Sequence, residues 1–130
     1  GSPAAARAAF ELGIMHRDAA RFDEAVDAFN QAGFSDNVFG PLTDANIGDC
    51  LVELGDLEGA EGHFASAASR AASGLAAKAL SPMCSYKRAL VLIELGNEDK
   101  ARGVLEDLAE DFPNSTYAAN AIGLAASLAR

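Results

Sequence analysis

Few residues in this 130-residue chain could do chemistry. They are two histidines, His16 and His63, two cysteines, Cys50 and Cys84, and four clustered carboxylates, Glu106, Asp107, Glu110 and Asp111. An enzyme or metal-binding protein would have to draw on His16, Cys50 and Cys84. Zinc takes ligands from closely spaced His and Cys pairs. The two histidines have no such spacing to each other or to either cysteine, so no metal is expected. A disulfide needs Cα atoms within about 7 Å. The cysteines fall at staggered heights on neighbouring helices, so both are expected as buried free thiols. His63, between Glu61 and Phe64, is expected to be solvated. The acidic cluster closes a helix, where it opposes the helix dipole at a cost of about a few tenths of a kcal/mol, and is expected to be a solvated face. Gly55, Gly59 and Gly62 lie at a helix turn and inside a helix, not in a phosphate-cradling loop. These residues imply no catalysis, no cofactor and no small-molecule substrate.

The elements that carry them are helical. Half the residues are hydrophobic, many of these are Ala, only four are Pro and none is Trp. Ala loses least on entering a helix. A chain of this length buries roughly two thirds of its unfolded surface and forms a core without staples. Ten basic residues stand against nineteen acidic ones, a net charge of −9. With no basic run, binding to a nucleic-acid backbone is excluded and anionic membrane surfaces are disfavoured. No run of about 18 apolar residues spans a bilayer. The opening Gly-Ser in place of Met reads as a cleavage scar, with the natural N-terminus upstream.

Self-comparison shows a repeat. Leu12-Gly13, Ile47-Gly48 and Arg88-Ala89 align. Twelve positions after each small residue comes an alanine: Ala25, Ala60, Ala101. Four positions further comes a large apolar residue: Phe29, Phe64, Leu105. The registers lie 35 and then 41 positions apart, and Pro113 follows the last. Each unit predicts an antiparallel helix pair, with the small residue and the alanine meeting where axes cross at about 8–10 Å. Gly55 and Gly96 are expected to end first helices at positive φ. Ala20 holds the equivalent place in the first unit and fits it less well. The expected helices span 3–18, 22–33, 41–54, 57–72, 98–111 and 116–129. Residues 34–39 form a loop. Ser73-Gly74 breaks the fourth helix, and the fifth opens at Leu75 or at Ser81-Pro82.

This pattern resembles the tetratricopeptide repeat, whose period is about 34 residues. "IGDCLVELGDLEGAEGHFASAA" and "FPNSTYAANA" are similar to bacterial envelope tetratricopeptide proteins tethered by one N-terminal membrane helix, and to periplasmic coordinators of outer-membrane assembly and of the Tol–Pal system. The resemblance implies an all-α solenoid in one domain: repeats at 3–33, 41–72 and 75–112, then a C-terminal helix at 114–130. It implies a non-enzymatic scaffold that binds a protein or peptide, and an envelope location in preference to the cytoplasm, with membrane contact only through an anchor upstream. His16 stands where the family has Tyr, so it is expected to pack between the paired helices.

The resemblance also places a concave groove on the first helix of each unit. Its slots fall on Phe10, Ile14 and Arg17, then Asn46, Asp49 and Glu53, then Met83, Tyr86 and Lys87, with Leu90 and Ile93 either in the groove or packed between first helices. Some relatives clamp a peptide's terminal carboxylate with basic residues. Here Phe10, Ile14 and Met83 occupy slots that such a clamp needs polar, and only Asn46 and Lys87 match. The groove suits an apolar or basic segment, such as a helix laid into it.

The alternative function is self-association. In "STYAANAIGLAASLAR" one stripe, Tyr117, Ala121, Leu124, Ala125 and Leu128, should cover the preceding helix. The opposite face, with Ala118, Ile122 and Ala126, carries no charge and could pair with a second copy as a homodimer.

Overall fold

The computed structural model describes residues 2–71, 73 and 76–129. Among them are seven α-helices: α1 (Pro3–Asp18), α2 (Phe22–Ala32), α3 (Phe39–Leu54), α4 (Leu57–Arg70), α5 (Ala77–Glu94), α6 (Glu98–Asp111) and α7 (Ala118–Leu128). No strand occurs among the described residues. Each helix packs on its sequence neighbours, and α3 also meets α5. The chain is thus a row of helix hairpins with first helices adjacent along one side.

Local chemistry sets most helix ends. Ser2 caps α1 by accepting the Ala5 N–H at 3.1 Å, ahead of Pro3. Asp56 caps α4 by accepting from Gly59 at 3.0 Å. The turns after α1, α3 and α5 share one form. Ala20, Gly55 and Gly96 take φ of 59°, 83° and 81°. Their N–H groups and those of the next residues donate back into the last turn, as in Gly55 to Val52 and Asp56 to Leu51. Ala20 is the only non-glycine residue at positive φ among the described residues. Its Cβ makes that conformation unfavourable.

Two helix starts differ from expectation. Helix α3 opens at Phe39, ahead of Pro41, because the Asp36 carboxylate accepts from Val38 and Phe39 at 3.1 and 2.8 Å. Burial opposes the charge on Asp36, but these backbone donors outweigh it and hold the carboxyl below its usual range. Helix α5 is already formed at Ala77, so Pro82 lies inside it, fully buried. The ring removes one backbone bond in the second turn. Ser81 fixes that turn by donating to the Ala68 carbonyl at 3.1 Å. The alternative start at Leu75 and the Gly74 half of the expected break lie outside the described residues, as do Gly1 and Arg130.

The small residues hold the hairpins together, but not as the sequence suggested. Over Gly48 sits the ring of Phe64, which an added Cβ would meet at 2.6 Å, and Phe29 stands over Gly13 at the same distance. The partner of each glycine is therefore the aromatic residue one turn beyond the alanine. Ala25, Ala60 and Ala101 are buried nearby. In the third pair Ala89 and Leu105 share a core with Leu108, Ala121 and Ala125, on which Tyr117, Leu124 and Leu128 pack.

Ala118 corrects the expected outer face of α7, since it is only 4% exposed. Positions 118, 121 and 125 follow the i, i+3, i+7 spacing of one helical stripe, so Ala118 belongs with Ala121 and Ala125. Ile122, 61% exposed, and Ala126 do face outward. His63 is not free in solvent, because its Nδ1 lies 3.2 Å from Asp44 Oδ1. His16 is half-buried, with its Nδ1 accepting from Arg21 Nε at 3.1 Å. Cys50 and Cys84 are buried free thiols. Burial raises both thiol pKa values, Cys84 to about 11 despite nearby Lys87.

Candidate binding cleft

The first helices α1, α3 and α5 each present part of one helical face to a shared hollow. On α3, Asp49 and the next turn's Val52 and Glu53 share that face. On α5, Lys87, Leu90, Val91 and Glu94 follow the same spacing. Arg17 comes from the end of α1, while Phe22 and Leu57 enter from the starts of α2 and α4. The hollow is open to solvent on one side and holds about 420 Å³ over the Phe64 ring. Val52 and Leu90 keep 37% and 43% of their surface exposed.

Most of the positive charge is committed. Lys87 Nζ bonds both carboxylate oxygens of Asp49, at 2.9 and 3.0 Å, and lies 5.9 Å over the Phe64 ring. Arg17 pairs with Asp18 at 3.0 Å and donates to the Asn46 side-chain oxygen. Glu53 and Glu94 are exposed and have no ion-pair partner among the described residues. The walls are thus apolar below and acidic at the rim.

Of the residues assigned to the groove, Arg17, Asp49, Glu53, Lys87 and Leu90 line this space. The others lie elsewhere. Phe10 stands edge-on to Phe29, Phe34 and Phe39, with centroids 5.7, 6.1 and 6.1 Å away. Ile14 packs on the core of Ile47 and Cys50. Asn46 is buried, donating to the Leu42 carbonyl at 2.9 Å. Met83 packs on Ala45, Ala67 and Cys84. Tyr86 lies 5.5 Å from Tyr117 and covers the Leu105 core. Ile93 is half-buried outside the cleft. Slot assignment missed Val52, Val91 and Glu94 on the first helices, and Phe22, Leu57 and Phe64 on the second. A helical stripe extended from Asp49 and from Lys87 would have found the three on the first helices.

A model of the family described as "T7SS, ESX-1 secretion system protein EccA1, N-terminal domain" matches residues 2–124. No curated protein matches the chain. Among solved structures, it is similar to one described as "First TPR of Spaghetti (RPAP3) bound to HSP90 peptide SRMEEVD". The TM-score is 0.73 at 19% identity, over 100% of both chains. At that identity the likeness shows the fold, which is a tetratricopeptide-repeat fold.

Proposed function

The chain belongs to the family of N-terminal domains of the ESX-1 type VII secretion protein EccA1, and we propose from that premise that it is a non-enzymatic protein-interaction scaffold. It binds a peptide or helical segment in the concave cleft. One observation carries this reading: Val52 and Leu90 stand half-exposed on facing helices over an apolar floor, where a monomer gains nothing by exposing them. The solved neighbour is described as binding a peptide, which supports a peptide or protein as ligand. Its peptide ends in three acidic and apolar residues, Glu-Val-Asp. Here Lys87 is held by Asp49 and Asn46 is buried, so a carboxylate clamp has no free basic group at those slots. The family description names a secretion-system protein, which supports association with a secretion apparatus as the setting of this scaffold. Among the described residues no helix is long and apolar enough to cross a membrane.

The reading is tested by titrating the isotopically labelled chain with a Leu-rich amphipathic helical peptide and following amide and methyl shifts. Val52, Leu90 and Val91 should move most, and Leu90→Glu should abolish the response at unchanged helicity. Shifts confined to His63, Ser66 and other α4 positions away from the cleft would overturn it.

A further inference from the structure

The rim of the cleft carries an uncompensated negative potential with two independent sources. The first is the pair Glu53 and Glu94, without ion-pair partners among the described residues once Lys87 is taken by Asp49 and Arg17 by Asp18. The second is the backbone. Glu53 lies in the last turn of α3 and Glu94 is the last residue of α5, and neither last turn holds a basic residue. Helix C-termini carry partial negative charge, which a carboxylate aggravates and a cation relieves. By contrast, α1 ends with His16 and Arg17 in its last turn. The adjoining N-terminal ends of α2 and α4, which would supply positive potential, are already met by Asp23, Glu24, Asp56 and Glu58. Like the acidic end of α6, these two helix ends carry charge that opposes their dipoles, and here they do so beside the exposed Val52 and Leu90.

Resting on the scaffold reading, we infer that the cleft's occupant is an apolar protein segment carrying a lysine or arginine, whose cation lies between Glu53 and Glu94 while its apolar side chains cover Val52, Leu90 and Phe64. Charge complementarity selects this occupant over the alternatives. An acidic segment would meet two carboxylates and two helix C-termini. A second copy of this chain would bring another net charge of −9.

The test uses three synthetic amphipathic helical peptides, identical except for one central Lys, Gln or Glu, measured by fluorescence anisotropy against the 130-residue chain. The Lys peptide should bind roughly tenfold more tightly than the Gln peptide, and the Glu peptide more weakly still. The Lys advantage should shrink as salt rises. The Glu53→Gln, Glu94→Gln double variant should erase the Lys preference, bringing the Lys and Gln peptides to equal affinity. Its melting temperature should not fall, because both substitutions remove charges that oppose a helix dipole. Equal binding of Lys and Gln peptides overturns the inference and leaves the scaffold reading standing. No binding by any peptide overturns both. Tightest binding by the Glu peptide, or a sedimenting dimer that the Lys peptide fails to disperse, also overturns the inference.

Discussion

At single positions, the contact above each glycine decides what a methyl group would do. Gly48 and Gly62 both lie inside helices, and alanine there should gain about 0.5–1 kcal/mol of backbone preference. Gly62 has no atom within 4 Å of an added Cβ, so Gly62→Ala should realise that gain. At Gly48 the Cβ would sit 2.6 Å from the ring of Phe64, itself 1% exposed and unable to move aside. Overpacking of roughly 1–3 kcal/mol then wins, and Gly48→Ala should lose stability. Urea denaturation of both variants reads the two signs, and a stabilised Gly48→Ala would refute this packing. Ala20 is the opposite case, an alanine where the backbone suits glycine. Ala20→Gly should stabilise by about 1 kcal/mol by removing a strained Cβ, seen as a melting temperature a few degrees higher.

Among the elements, one carboxylate ties the two helices of the second repeat together. Asp44 on α3 receives Arg70 at 2.7 Å, Ser66 at 3.1 Å and His63 at 3.2 Å from α4. Arg70 also donates to the Phe34 carbonyl at 2.7 Å, reaching the segment that joins the first hairpin to the second. Burial pushes the Asp44 carboxyl up, but the bonds from His63, Arg70 and Ser66 together reverse this and hold it below 3.8. A depressed folded pKa gives stability that is present above the unfolded value and lost as pH falls through the folded one. Unfolding free energy should therefore fall as pH drops below about 4, and Asp44→Asn should flatten that part of the profile. At neutral pH the variant should cost roughly 1–3 kcal/mol, since it strips charge from a half-buried hub. An unchanged acid limb would remove Asp44 from this role. The hub was not legible in the sequence, because its partners lie 19 to 26 positions away and meet only once α3 and α4 pair. What was legible is local. Gly55 and Gly96 mark their helix ends by their own backbone freedom. The start of α5 was hidden because no side chain caps it and packing of Ser81 and Pro82 fixes it.

For the whole molecule, curvature sorts groove residues from packing residues, and a linear sequence does not carry it. Slot by slot, Phe10, Tyr86 and Arg17 were all candidates, with the two aromatics the expected anchors. Once the hairpins stack, Phe10 joins an aromatic cluster and Tyr86 covers α7, and Arg17 alone of the three reaches the cleft. The same sorting bears on self-association through α7. With Ala118 turned inward, its outer face keeps a single large apolar side chain, Ile122. One isolated exposed isoleucine is ordinary on a monomer surface, where docking faces run to hundreds of Å². Two copies would also bring together net charges of −9 each, which repel most strongly at low ionic strength. The chain should sediment as a monomer at high protein concentration in low salt, and Ile122→Glu should leave its mass unchanged. A dimeric parent dispersed by Ile122→Glu would show that the small residues of α7 admit a close helix contact strong enough to outweigh that repulsion.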